Sequence, residues 1–222
     1  MCGIAGFFDP RGFNSNEAEK LARRMAYRVV HRGPDDSGVW VDGKSGIALA
    51  HQRLSVLDLS PAGHQPMKSP SHRYVIVYNG EIYNHLELRE QLGGVAWRGH
   101  SDTETLLAAI DAWGVSATLE KCVGMFGFAL WNRKTQSLTL GRDRLGEKPL
   151  YYGWQGRTFF FGSELKAINA HPEFLGEVDR KALALSLLFS CVPGSFSIYK
   201  GIQKLTPGTF IEICDDGDLP EP

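Results

Sequence analysis

The sequence predicts an α+β domain in which antiparallel sheets pack face to face beneath helices. Three pairs of short β-rich segments are each closed by turn residues, the mark of hairpins and hence of antiparallel pairing. Four segments with apolar residues at helical spacing lie between those runs of strands rather than alternating with single strands. At 222 residues, 43% of them hydrophobic, the chain is long enough to bury such a core without disulfides or metals.

The elements follow in order. Ile4 to Phe8 reads as a first strand, and Asn16 to Arg28, with Leu21 and Met25, as a first helix. Val39 to Val41 and Ile47 to His51 flank Asp42-Gly43, read as a two-residue hairpin turn; Tyr74 to Tyr78 is a further strand. Leu86 to Leu92 is a short helix. Ser101 to Trp113 opens on Ser101-Asp102-Thr103-Glu104, a capping box, and stops at Gly114. Met125 to Trp131 and Ser137 to Gly141 flank Asn132 to Gln136, and Leu150 to Trp154 and Arg157 to Phe161 flank Gln155-Gly156. A helix over Asp179 to Phe189 and a strand over Thr209 to Cys214 complete the pattern. Residues 215–222 change to acidic residues, Gly and Pro, and read as a linker.

Charge and apolar patterning exclude several classes. Lys and Arg number 24 against 25 Asp and Glu, so no bulk positive field exists to hold nucleic acid or anionic lipid. The longest apolar runs, such as Ala182 to Phe189, fall far short of the ~20 residues of a membrane span. The start, Met1-Cys2-Gly3-Ile4-Ala5-Gly6-Phe7, lacks the basic and apolar regions of a secretory leader, and a cytoplasmic location is expected. Cys2, Cys122, Cys191 and Cys214 form no Cys-x-x-Cys pair and suggest neither a zinc knuckle nor a disulfide framework.

Two motifs mislead. Gly38 to Ser45 matches the phosphate-loop pattern letter for letter, but its variable positions, Val-Trp-Val, favour a strand and no helix signal follows at Ser45-Gly46. The seven histidines include no pair at metal-ligand spacing on a helix, and no metal site is expected.

Cys2 is different. Its predecessor is the initiator methionine, and a small second residue permits removal of Met1. The chain would then open with a thiol and a free α-amine on one residue, a nucleophile and its base together. Position alone leaves open a second reading, a small buried hydrophobe in the first strand.

Met-Cys-Gly-Ile-Ala-Gly-Phe, followed in order by His31-Arg32-Gly33-Pro34-Asp35, Ala50 to Ser55, Tyr78 to Asn84, Ser101 to Glu104, Gly124-Met125-Phe126, Gly141 to Gly146 and Ser163 to Lys166, resembles the class II glutamine amidotransferases. These are N-terminal-nucleophile hydrolases, and within them the set looks most like the glutaminase domain of glutamine-dependent asparagine synthetases. The resemblance implies a four-layer αββα sandwich of two antiparallel sheets flanked by helices, spanning residues 1–214, with 215–222 starting the linker to a synthetase domain. It implies hydrolysis of L-glutamine to glutamate and ammonia through a Cys2 thioester, with the ammonia passed to an ATP-dependent domain that converts aspartate to asparagine. On the same resemblance the glutaminase half is expected to need no cofactor and no metal, and ATP and Mg are expected only in the synthetase domain, whose Ser-Gly-Gly-x-Asp-Ser loop is not among these residues. L-Glutamine and the synthetase domain are the implied partners, with a homodimer left open. Two alternatives stand beside this one: the same glutaminase serving an amino-sugar or surface-polysaccharide acceptor, and a catalytically silent glutamine-binding module.

Site residues follow from both lines of argument. In Tyr78-Asn79-Gly80-Glu81 a strand is expected to end at an Asn-Gly corner, where the Asn79 amide and the Gly80 N–H converge as an oxyanion needs; a plain turn is the other reading. Free glutamine presents a carboxylate and an ammonium. Arg53 can fork onto the first, and Asp102, kept ionised by the helix dipole, can hold the second; alone they read as a surface residue and a routine helix-end acid. The resemblance moves both to substrate binding, and adds Leu54, Ser55, Val56, Leu57 and Glu81. The His31–Asp35 loop is expected to shape the site, Arg142-Asp143 and Glu164/Lys166 to form ion pairs that fix loops, and Cys122, Cys191 and Cys214 to be buried thiols.

Overall fold

The computed structural model describes residues 1–214; the expected linker at 215–222 lies outside them. The elements are β1 (Gly3–Phe8), α1 (Ser15–Tyr27), β2 (Asp36–Asp42), β3 (Ile47–Arg53), β4 (Met67–Lys68), β5 (Tyr74–Ile82), α2 (His85–Leu92), α3 (Asp102–Trp113), α4 (Val115–Lys121), β6 (Gly124–Asn132), β7 (Ser137–Arg142), β8 (Tyr151–Gln155), β9 (Thr158–Gly162), α5 (Leu165–Ile168), α6 (Arg180–Phe189), β10 (Gln203–Lys204) and β11 (Phe210–Ile213), with 3-10 turns at Val30–Arg32 and Pro61–Gly63.

The strands form two sheets, six-stranded in the order β10-β8-β9-β1-β3-β2 and five-stranded in the order β11-β7-β6-β5-β4. The strand pairings are antiparallel throughout. Side-chain alternation makes the layers. Ile4 and Phe8 of β1 and Ile47 and Leu49 of β3 meet Val75, Val77, Trp131 and Leu140 of the second sheet in a core between the sheets. Ala5 and Phe7 point the other way, onto Ala18, Ala22 and Met25 of α1. On the far side Ile76, Tyr78 and Leu130 pack against Leu106, Leu107 and Ile110 of α3, each such burial contributing about 1.5–3 kcal/mol. The result is helix, sheet, sheet, helix, as expected.

Local signals place the helices. Asn14 caps α1 through the N–H groups of Asn16 and Glu17, and Asp179 caps α6 through Lys181 and Ala182. Ser101 accepts from the Glu104 N–H, and α3 ends at Gly114 with φ 81°. The phosphate-loop look-alike is a hairpin: Gly38 to Asp42 lie in β2, paired residue by residue with β3. Its turn differs from expectation, because Asp42 pairs with Ile47 and the loop is the four residues 43–46, closed by Gly46 at φ 70°.

A larger departure concerns Asn79-Gly80. No corner forms there; β5 runs on to Ile82, with Asn79 opposite Gly127 and Gly80 opposite Phe126. Long ladder pairing with β6 overrides the dipeptide's turn preference. Arg142 and Asp143 also do not pair with each other, since both side chains bind backbone groups. Of the three thiols expected to be buried, Cys122 is, while Cys191 and Cys214 are exposed.

Candidate active site

The first strand sets the site. Gly3 pairs with Gln52, so Cys2, just ahead of β1, falls beside the C-terminal end of β3. There the Leu54 N–H donates to Cys2 Sγ at 3.4 Å and the thiol faces the Leu54 carbonyl at 3.7 Å. Burial pushes the Cys2 thiol up, and the Leu54 hydrogen bond only partly offsets it. A thiolate therefore needs a base to form.

The His31–Asp35 loop holds this end of the chain. Arg32 Nε donates to the Cys2 carbonyl at 2.9 Å, and its Nη1 pairs with Glu164 at 3.0 Å. Glu164 also takes His31 at 3.1 Å and Lys166 at 2.9 Å, so the expected Glu164/Lys166 ion pair is part of a cluster around Arg32. Asp35 accepts from the Ser55 N–H at 2.8 Å.

The second sheet supplies the facing wall. Asn79 is 1% exposed, and its Nδ2 has no hydrogen-bond partner, a donor that a folded interior normally satisfies. A Cβ on Gly80 would come within 2.4 Å of the Met125 carbonyl. Only glycine fits between β5 and the wall behind it.

Arg53 and Asp102 lie on opposite elements. Arg53, the last residue of β3, donates through Nη1 to the Ser60 carbonyl at 3.2 Å and through Nη2 to the Asp58 carbonyl. Two of its five N–H groups thus hold the 54–60 loop, leaving the others for a ligand. Asp102, the first residue of α3, accepts from the Tyr78 hydroxyl at 3.0 Å, the Ile82 N–H at 2.9 Å and the Thr103 N–H at 2.9 Å. Burial pushes its carboxyl up, and those three donors pull it down in part. Asp58 goes the other way. Against its own desolvation, hydrogen bonds from Ser60 and the His100 N–H bring it down to about 2.

These groups surround one cavity of about 160 Å³, lined by Cys2, Arg53, Leu54, Val56, Leu57, Asn79, Gly80, Glu81 and Asp102 among others. Ser55 is the expected site residue that does not line it. Sequence reading missed Gln65, whose Oε1 accepts the Tyr78 N–H at 2.7 Å and whose Nε2 donates to Thr103 at 3.3 Å. It missed Asp58 and Lys148 as lining residues too. The one available signal was a charged side chain in a loop that the fold would have to bury. Among the described residues no three His, Cys, Asp or Glu side chains are grouped to hold a metal.

Cys2, at the head of the first strand, thus meets an orphaned amide donor across a cleft between two sheets, in a domain of the glutamine amidotransferase class. The chain belongs to the glutamine amidotransferase domain family, whose model matches residues 1–221. It is 40% identical to asparagine synthetase [glutamine-hydrolyzing] 3 of Bacillus subtilis over 98% of this chain and 35% of that protein. Asparagine synthetase [glutamine-hydrolyzing] 1 of the same organism is 36% identical over 99% of this chain and 34% of its own length. The chain thus spans about a third of the length of the curated relatives it matches. Among solved structures, a glutamine phosphoribosylpyrophosphate amidotransferase from B. subtilis superposes with a TM-score of 0.68 at 18% identity, over 97% of this chain and 48% of that one. That likeness establishes the fold.

Proposed function

We propose that this domain hydrolyses the side-chain amide of L-glutamine, with Cys2 as nucleophile once Met1 is removed. The observation that carries the reading is the meeting of Cys2, from one sheet, with the unpartnered Asn79 amide, from the other, in a single cavity. The freed α-amine of Cys2 takes the thiol proton, which the raised thiol pKa makes necessary. The sulfur electron pair forms a C–S bond to the amide carbon, and the carbonyl π pair moves onto oxygen, where Asn79 Nδ2 and the Gly80 N–H receive it. When the carbonyl re-forms, the C–N bond breaks, and the amine's proton leaves with the nitrogen as ammonia. Water then adds to the thioester, giving its proton to the amine; the C–S bond breaks, releasing glutamate and the thiol.

Arg53 takes the glutamine carboxylate, Asp102 takes its ammonium, and Glu81 with the backbone of residues 54–57 completes the pocket. The ammonia supplies an ATP-dependent synthetase domain that aminates aspartate to asparagine, in keeping with the names of the relatives. ATP and Mg belong to that domain; in this one the sole phosphate-loop pattern is the β2–β3 hairpin, which offers no nest to a nucleotide. We place the protein in the cytoplasm, consistent with the absence, among the described residues, of a helix long and apolar enough to cross a membrane.

The test is ammonia release from glutamine without ATP, on chain shown by intact mass to have lost Met1, beside Cys2→Ala. Ammonia from the wild type and none from the variant is the expected result. Glutamine binding without hydrolysis by the processed, folded wild type would favour the silent module instead.

A further inference from the structure

The loop after β7 is built around one residue. Arg142 Nε donates to the Lys148 carbonyl at 2.8 Å, and Asp143 Oδ2 accepts the Lys148 N–H at 3.0 Å and the Phe126 N–H at 3.2 Å. The two charged residues that make no ion pair with each other thus fasten the Lys148 backbone to β6. Phe126 and Gly127 are the partners of Gly80 and Asn79 in the β5–β6 ladder.

Residues directly opposed in an antiparallel pair point to the same face. The space above Gly127 is therefore the space beside the Asn79 side chain. Lys148 fills it: its Cβ lies 3.6 Å from where a Cβ of Gly127 would stand. The residue is 5% exposed and lines the same cavity as Cys2, Asn79 and Met125. Among the described residues its hydrogen bonds are backbone ones, and its ammonium has no ion pair. The cavity's carboxylates, Asp58, Glu81 and Asp102, make no ion pair with it, so the ammonium stands free to meet negative charge that arrives during reaction.

We infer that Lys148, whose side chain starts beside Asn79 and lines the cavity, is an electrostatic residue of the glutaminase reaction, its ammonium stabilising the negative charge that reaches the amide oxygen when Cys2 adds to the carbonyl carbon. The inference rests on the function proposed above. Lys148 forms no bond to substrate and transfers no proton; the charge it meets appears as the C–S bond forms and vanishes as the C–N bond breaks. An interaction present only at that stage raises kcat and leaves KM largely alone.

The experiment compares processed wild type with Lys148→Met and Lys148→Arg in glutamine hydrolysis, with thermal melting of each. The expected result for Lys148→Met is a kcat lower by roughly ten- to a hundredfold, a KM within about threefold of wild type, and an undiminished melting temperature, with Lys148→Arg recovering most of the rate. A raised KM at unchanged kcat would overturn the inference in favour of carboxylate binding. Unchanged kinetics would make Lys148 a bystander, and loss of rate with a lowered melting temperature and no rescue by Arg would make it structural. A processed wild type that releases no ammonia overturns the glutaminase reading and this one together, whereas an active wild type with an unaffected Lys148→Met overturns this one alone.

Discussion

His51 Nε2, on β3, donates to the Tyr78 carbonyl, on β5, at 3.0 Å, a bond that crosses from one sheet to the other beside the catalytic cavity. The ring is fully buried, and desolvation brings its pKa down to about 4 from an ordinary 6.5. Folded chain therefore refuses a proton that unfolded chain accepts between those values. The sign follows: stability is full above pH 6.5 and falls as pH drops toward 4, by about 3 kcal/mol from this residue. Denaturant unfolding at pH 7.5 and 4.5 measures it, and His51→Gln, which keeps a donor for Tyr78, is expected to flatten that part of the slope.

Asn79→Ala removes a donor already in place before any substrate arrives. The expected loss is about 2.7–4 kcal/mol in the barrier, read as a kcat lower by roughly a hundred- to a thousandfold. Steady-state kinetics on processed chain would show it, with KM changing much less.

The Tyr78 hydroxyl and Asp102 form a second testable pair. The hydroxyl's own pKa is held well above its usual value by burial and by Asp102, so it remains a donor and draws the carboxyl down against desolvation. Tyr78→Phe is expected to raise the Asp102 pKa further. Below that pKa the ammonium of glutamine loses its counter-ion, so KM should rise as pH falls, and the rise should begin at a higher pH in the variant. A pH series of KM for both proteins decides it.

Gly63 acts on the site without lining it through a side chain. A Cβ there would sit 2.0 Å from Arg53 Nη2 and 2.6 Å from its Cζ, so Gly63→Ala forces the guanidinium out of its seat on the Asp58 and Ser60 carbonyls. The expected outcome is a KM for glutamine raised about tenfold, in line with a lost charge-assisted pair. Cys2 alkylation should slow slightly, since the thiol keeps its Leu54 hydrogen bond but loses part of the pull that the Arg53 charge exerts on its pKa.

Much of this fold was legible because local and tertiary preferences agree. Asn14, Ser101 and Asp179 cap the helices their sequences announce, and alternation along Ile4 to Phe8 separates core from helix face. Where the two conflict, the sequence misleads: Asn79-Gly80 has turn chemistry, yet ladder pairing with β6 keeps it in a strand. The short α4, α5, β4 and β10 carry no periodicity to read. The cavity's chemistry divides the same way. Cys2, Asn79, Arg53 and Asp102 stand in recognisable motifs, whereas Gln65 and Lys148 reach the cavity from loops whose course only the folded chain defines.

The strand that follows Cys2 is flanked on both sides, by β3 and by β9, with Gly6 paired to Phe161 and the Ile4 N–H bonded to Ser163 Oγ at 3.0 Å. Half of its seating is thus more than 150 residues away along the polypeptide. On a ribosome adding ~5–20 residues per second, the leading segment waits roughly ten seconds or more for its second neighbour to be made. During that interval it is open to the aminopeptidase that would expose the cysteine amine. On the proposed mechanism, removal of Met1 can therefore precede assembly of the cleft that needs the freed amine.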